Sequence, residues 1–479
     1  MISGLREDHS PMIHYFAKLT EIPRCSGHEE AVGDFLLAWA KDQGLEAKRD
    51  KALNVVIKKP ASPGYEDRPP LILQGHLDMV CEAHDLEAFN FCQDPIHAQV
   101  EGDLVIARET TLGADNGLAV AMILALLEDP DLAHPPLEAL FTSDEEKGMT
   151  GAIQLDPSLV KGRRLINIDS EEEGICYVGC AGGQTDEVSF KKDLEASKKA
   201  QAYRIKLGGL LGGHSGMEIY KQRANAIKVL GRILHHLKGE EDFDLADLEG
   251  GNLSNAIPRE ASALILSDLD KEALEALLDP IFQPIKEEYK EIDPQMSLAL
   301  DPVEGGPVVS KKTRDQLIAY LYLAPHGIFF VDTDQAQQVE ASTNLGVVKS
   351  LEDSWLITSQ VRASLKSRIQ EIAEKNKVLA EVLEGTYQSN SFYPPWEFKK
   401  DSPLRDKAQA VWKENRGQDL QLATVHAGVE CAIFIESLGE MDMISIGPDI
   451  FGVHAPGEHF SISSADRVYD FMVKYLKEL

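Results

Sequence analysis

The strongest constraint on this chain is a set of short, nearly continuous apolar segments that each run straight into histidine or carboxylate. LILQG (71–75) leads into His76-Leu77-Asp78, LEALFTS (137–143) into Asp144-Glu145-Glu146, and RLINI (164–168) into Asp169. MISIG (443–447) is followed, after a loop, by His454. Segments this short and apolar on both faces read as buried parallel strands. A further strand is expected at 54–58, and helical patterns near 11–23, 29–43, 116–128, 403–415, 428–437 and 463–478 separate or flank the strands. This alternation predicts an α/β layer fold.

The middle of the chain reads differently. From about 183 to 396 the strands are longer and alternate, as in AYRIKLGGL, ASALILSDL and SWLITSQVRASL, with helices expected near 222–238, 271–291, 311–322 and 366–385. Strand–strand–helix–strand occurs twice, around 253–300 and around 344–393, which suggests a structural repeat. The expected organisation is one α/β domain formed by 1–182 and 397–479, interrupted by an inserted α+β domain over 183–396.

Lys and Arg number 48 against 79 Asp and Glu, a formal charge of −31. That field argues against nucleic acid and anionic membrane as partners. No stretch reaches the ~20 apolar residues of a membrane span, and the N-terminus lacks a signal-peptide apolar core, so a cytoplasmic location is expected. The six cysteines, Cys25, Cys81, Cys92, Cys176, Cys180 and Cys431, are scattered and read as reduced thiols.

In an open α/β sheet, ligands bind beyond the carboxyl ends of the strands. Here those ends deliver His76, Asp78, Glu145, Glu146, Asp169 and His454, and a glycine-bounded turn, TLGADNG, presents Asp115 before a helix. No Lys or Arg stands among these positions. Clustered carboxylates stay ionised together only beside a cation. Histidine with carboxylate suits zinc, or manganese or cobalt in its place, and two such ions sharing one carboxylate would sit about 3.5–4 Å apart. His76 and Asp78, two apart on extended chain, face the same way, so one can bind metal while the other fixes the imidazole tautomer. Glu145 and Glu146 point apart, so one can bind metal while the other serves as a base.

GHLDMV, TTLGADNGLAVA, SDEEKGMTGA, NIDSEEEG and VHAPGEH together resemble the dinuclear zinc peptidases of the aminoacylase and carnosinase superfamily. The resemblance runs over essentially the whole chain. It implies a zinc-peptidase catalytic domain with a mixed, mostly parallel sheet, and makes the inserted domain a lid. It also implies two Zn2+ per chain, with Asp115 bridging both, His76 and Asp169 completing one site, and Glu146 and His454 the other. Glu145 matches the general base and Asp78 the acid that orients His76. A non-proline cis peptide is implied at Asp115–Asn116. In the lid, His214 of GLLGGHSG matches the histidine that polarises the scissile carbonyl. Asn255 and Arg362 resemble the residues that hold a substrate carboxylate.

HAGVECAIF (426–434) is similar to a glycine-containing loop near the substrate, with His426 and Gly428 as contacts. His426 and Glu430, four apart, could share a helix face. A supporting role there is favoured over a second metal pair. The expected activity is hydrolysis of unblocked dipeptides, Xaa-His among them, with a small peptide as substrate. N-acyl amino acid deacylation or carboxypeptidase action on the same core are the alternatives, and a non-catalytic binding protein is the alternative of another class. A homodimer, and whether His214 acts in cis or in trans, stay open.

Overall fold

The structure, a computed structural model, describes residues 2–85, 87, 89–332 and 338–479. The chain forms two compact units: Met1–Gly179 with Phe398–Thr424 and Val429–Leu479, and Cys180–Glu397 with Val425–Gly428. Val425–Gly428, read from sequence as part of the last α/β segment, pack with the second unit.

The first unit is built on an eight-stranded sheet. Its spatial order is Glu46–Arg49, Val55–Lys59, Leu137–Thr142, Leu71–His76, Arg164–Asn167, Asp442–Ser445, Ile175–Cys180 and Gln421–Val425. The four strands from Leu137–Thr142 to Asp442–Ser445 are parallel. The pairings of Glu46–Arg49, Val55–Lys59 and Ile175–Cys180 are antiparallel, so the sheet is mixed with a parallel centre. Leu71–His76 and Leu137–Thr142 are buried along their whole length, as continuous apolar strands should be when both faces are covered. Helix Ala114–Glu128, buried almost all round, packs on Leu71–His76. Gly75 allows this approach, because a Cβ there would stand 2.5 Å from Asn116 Oδ1 and 2.9 Å from the Ala119 Cβ.

A second sheet of five very short strands, Ile2–Ser3, Ala98–Glu101, Leu104–Ile106, His459–Ser461 and Ile450–Phe451, went unread in the sequence. Strands of two to four residues carry too little alternation to be seen.

In the second unit, strands Gln201–Gly208 and Ala261–Ser267 alternate buried and less buried residues, and helices cover one face. The doubled pattern has a topological form. Gln201–Gly208 pairs with Ala261–Ser267 and Ser297–Pro302, two strands joined by helix Lys271–Glu288. Likewise Gly182–Lys191 pairs with Ser354–Ala363 and Thr386–Tyr393, joined by helix Lys366–Val382. Caps set the helix starts: Asn225, Asp270 and Ser310 side chains accept from the backbone N–H three residues on. The helix expected from 222 therefore begins at Ala226.

The reading of six reduced cysteines needs correction. Cys25 and Cys81 form a disulfide with Cα atoms 6.0 Å apart, and Cys92, Cys176, Cys180 and Cys431 are not disulfide-bonded. The partners are 56 residues apart, and only the fold, which pairs Cys25 with Met79, brings them together. Denatured, unreduced protein should titrate four thiols per chain and reduced protein six. Six without reductant would contradict the pairing.

Candidate metal centre

The parallel strands bring their carboxyl ends to one edge, with His76 opposite Thr142 and Gln74 opposite Asn167. Beyond that edge His76 Nε2 lies 3.0 Å from Asp115 Oδ1 and 3.4 Å from Asp169 Oδ1. His454 Nε2 lies 3.1 Å from Asp115 Oδ2 and 3.1 Å from Glu146 Oε2. The two oxygens of Asp115 thus face two different histidines, each beside a second carboxylate. Glu146 Oε1 is buried and has no partner among the described residues. The Asp115–Asn116 peptide bond is cis, and His454 has a left-handed backbone with φ of 61°.

The electrostatics describe a pocket that holds positive charge. Hydrogen bonds to Asp115 and Glu146 push the His454 imidazole up to about 11. Burial opposes protonation of His76, yet the Asp169, Asp115 and Asp78 carboxylates hold its pKa well above the usual value. Burial also works against ionisation of Asp115, but hydrogen bonds from His454 and His76 outweigh it and keep its pKa low. The surrounding acids are pushed up, each first by burial: Asp169 to about 6, Glu171 to about 7, Glu430 to about 8 and Glu145 well above its ordinary value. Divalent cations answer this donor set. It offers imidazole nitrogen and carboxylate oxygen, carries excess negative charge, and includes a carboxylate oriented two ways.

Asp78 does more than face His76. Its Oδ1 is 3.4 Å from His76 Nδ1, and its carboxylate accepts from Ser26 Oγ at 2.7 Å and from the backbone N–H groups of Glu145 at 3.0 Å and Glu146 at 3.2 Å. His76 Nδ1 also lies 3.2 Å from the Asp78 backbone carbonyl, so Asp78 faces the imidazole with both its carbonyl and its carboxylate, and the carboxylate fixes the turn that carries both glutamates. Burial opposes its charge, but hydrogen bonds from His76, Ser26 and Glu145 bring its pKa down to about 2.

Sequence reading missed three supports. The Glu458 carboxylate accepts from the backbone N–H groups of Leu112, Gly113, Ala114 and Asp115 at 2.7–3.3 Å, anchoring the loop that carries Asp115. Arg24 donates to the carbonyls of Leu77, Asp78 and Gly113. Asn116 Oδ1 accepts from the His76 N–H at 3.2 Å, and its Nδ2 donates to Ile168 O at 2.8 Å. Glu458 lay inside a quoted motif, VHAPGEH. Arg24, 52 residues before His76, had no local signal.

The remaining candidates belong to the second unit. His214 pairs with Ala256 in a two-stranded ladder, next to exposed Asn255, whose carbonyl accepts from the Ser215 N–H at 2.8 Å. His214 Nδ1 accepts from the backbone N–H groups of Gly216 at 3.3 Å and Met217 at 3.0 Å. Burial and the Arg362 charge lower its pKa, which favours the neutral ring, and acceptance at Nδ1 places its proton on Nε2. A Cβ on Gly216 would stand 2.5 Å from His426 O, 3.0 Å from His214 Cε1 and 3.3 Å from Arg362 Nε, so these three converge on that glycine. His426 Nε2 and Ser342 Oγ are 2.7 Å apart, and burial brings the His426 pKa down to about 3. Gly428 lies in the same Val425–Gly428 segment. His426 and Glu430 share no helix face, because the helix begins at Glu430. Glu430 instead accepts from Gln74 and Thr142, at 2.6 and 2.8 Å.

Residues 72–478 match the profile of Peptidase family M20/M25/M40. The chain is 37% identical over 476 residues to the cytosol non-specific dipeptidase of Escherichia coli (strain K12), covering 98% of this chain and 97% of that protein. The crystal structure of aminoacylhistidine dipeptidase from Vibrio alginolyticus superposes with a TM-score of 0.89 at 35% identity, covering 98% of this chain and 96% of that one. Aminopeptidase PepT from Bacillus cereus shares the fold, with a TM-score of 0.57 at 13% identity over 98% of each chain. With five acidic and histidine side chains gathered at the sheet edge and a family match across most of its length, this chain belongs to peptidase family M20/M25/M40.

Proposed function

We propose that this chain is a dipeptidase dependent on two divalent cations, zinc by preference, with manganese or cobalt as substitutes. The observation that carries the reading is Asp115, whose two oxygens face His76 and His454 separately. His76 and Asp169 would hold one ion, Glu146 and His454 the other, and Asp115 both. When bound, such a pair lowers the pKa of water and polarises a carbonyl oxygen. Glu145, with its pKa raised by burial, takes the proton of the attacking water and returns it to the departing amine. Asp78 holds both glutamates in register for that division of labour. The E. coli and Vibrio relatives, named as dipeptidases, support the choice of substrate class. We take unblocked dipeptides, Xaa-His among them, as substrates.

The second unit would serve as the lid. His214, neutral with its proton on Nε2, donates to the scissile carbonyl, and Arg362 and Asn255 take the substrate carboxylate, with His426 and Gly428 lining the site. His214→Ala should lower turnover by about 100-fold to 1,000-fold, as loss of one oxyanion donor does, with metal content unchanged. Full turnover in that variant would remove His214 from the chemistry.

The described residues include no helix long and apolar enough to cross a membrane. We propose a cytosolic location, as the E. coli relative's name has it. The Cys25–Cys81 disulfide weighs against it, since cytosolic thiols are kept reduced.

The test is a panel of free dipeptides, N-acylated dipeptides and N-acyl amino acids, offered to chelator-treated protein with zinc, manganese or cobalt restored separately. Free dipeptides should be cleaved only after metal is restored, and N-acylated ones should not. Faster cleavage of N-acyl amino acids would make the protein a deacylase, and no cleavage by metal-loaded protein would make it a binding protein.

A further inference from the structure

Four adjacent strands of the second unit carry one row of residues. Ser342 lies opposite Arg362, Arg362 opposite Gly183, and Gly183 opposite Tyr393. Residues opposite one another share a face of the sheet. Arg362 and Tyr393 are therefore two strand spacings apart, roughly 10 Å between backbones, too far for ordinary cross-strand neighbours. They nevertheless meet: Arg362 Nη1 donates to Tyr393 Oη at 2.8 Å.

Gly183 makes this contact geometrically available. A Cβ at Gly183 would stand 2.5 Å from Tyr393 Oη and 2.6 Å from its Cζ, so the phenol ring lies across the bare backbone of the intervening strand. The neighbouring glycine fixes the other end. A Cβ at Gly182 would stand 2.4 Å from Pro395 N, so the Pro394–Pro395 segment lies directly against it. Trp396, buried, exchanges backbone hydrogen bonds with Cys180 at 2.9 and 3.1 Å. The tyrosine is thus held at its base by the chain that follows and at its tip by the guanidinium. Burial raises the phenol's pKa, which keeps the hydroxyl neutral and able to accept.

The consequence falls on Arg362. With Nη1 committed to the tyrosine, the guanidinium plane is set and its Nε–Nη2 edge is the one left for a two-oxygen anion. Nε is buried and unpartnered among the described residues, and it faces the corner where Gly216, His214 and His426 converge. Resting on the reading of Arg362 as the carboxylate binder, we propose that Tyr393 is a positioning residue for substrate selection. Seated across Gly183, it orients the Arg362 fork toward the free carboxylate of a dipeptide.

The experiment compares a dipeptide with its C-terminal amide in the metal-loaded enzyme. Tyr393→Phe keeps the ring and removes the acceptor. The KM for the free dipeptide should rise about 10-fold to 150-fold, the worth of one charge-assisted hydrogen bond, with kcat little changed and the amide's KM unmoved. Gly183→Ala, which retains the hydroxyl but displaces it, should shift KM the same way. Arg362→Ala tests the underlying reading and should abolish the preference for the free acid. If that preference is lost in Arg362→Ala but untouched in Tyr393→Phe and Gly183→Ala, the positioning role is overturned and the reading stands. If Arg362→Ala keeps the preference, the reading itself fails. Equal loss of kcat on acid and amide in Tyr393→Phe would make the tyrosine a merely structural residue and would also overturn the proposal.

Discussion

Asp115→Ala is expected to lose both bound ions and, with them, all measurable peptide hydrolysis. Elemental analysis of metal-loaded wild-type protein should approach two divalent ions per chain, and the variant should approach none. The reason is geometric. Asp115 Oδ1 and Oδ2 lie 3.0 and 3.1 Å from two different histidines, so one carboxylate serves both halves of the cluster. Without it each half keeps one histidine and one acid, a poor match to the ligand number a divalent ion requires. Retention of two tightly bound ions in Asp115→Ala would remove the bridging role.

Glu145→Gln carries the next largest effect. It preserves shape and removes the proton acceptor, so turnover should fall by about 100-fold to 10,000-fold, the range for a positioned acid–base group. Metal content should not change, because Glu146 is the glutamate facing His454 at 3.1 Å. Stopped assays with matched elemental analysis check both halves. Near-normal turnover would mean that another residue takes the proton, and loss of metal would mean that the two glutamates had been assigned in the wrong order.

Much of the candidate site could be read from sequence because strand ends are local signals. His76, Asp169 and the two glutamates each follow directly on an apolar run, and the parallel centre of the sheet brings those runs to one edge. His454 was harder, lying nine residues past the end of strand Asp442–Ser445, and only its motif marked it. The supports were hidden for physical reasons. Arg24 and Glu458 act on backbone groups far away in the chain, and a side chain that caps a distant loop leaves no periodicity or spacing. The Cys25–Cys81 disulfide was invisible for the same reason. Asp78 was read as a partner of His76, yet its hold on the Glu145 and Glu146 N–H groups depends on a neighbouring strand's turn, which one sequence does not align. The Ser342–Arg362–Gly183–Tyr393 row spans four strands from across the second unit and needs the sheet register to be seen. The His426 and Glu430 pairing failed because a four-residue spacing implies a shared face only inside a helix, and this helix starts at Glu430.

In the proposed site, five side chains at the edge of one sheet hold two ions through a shared aspartate. Anomalous diffraction from zinc-loaded crystals, collected on both sides of the zinc absorption edge, tests it most directly. Two peaks per chain are expected, one against His76 and Asp169 and one against Glu146 and His454, with the Asp115 carboxylate contacting both. A single peak, or two peaks of which only one touches Asp115, would contradict that arrangement.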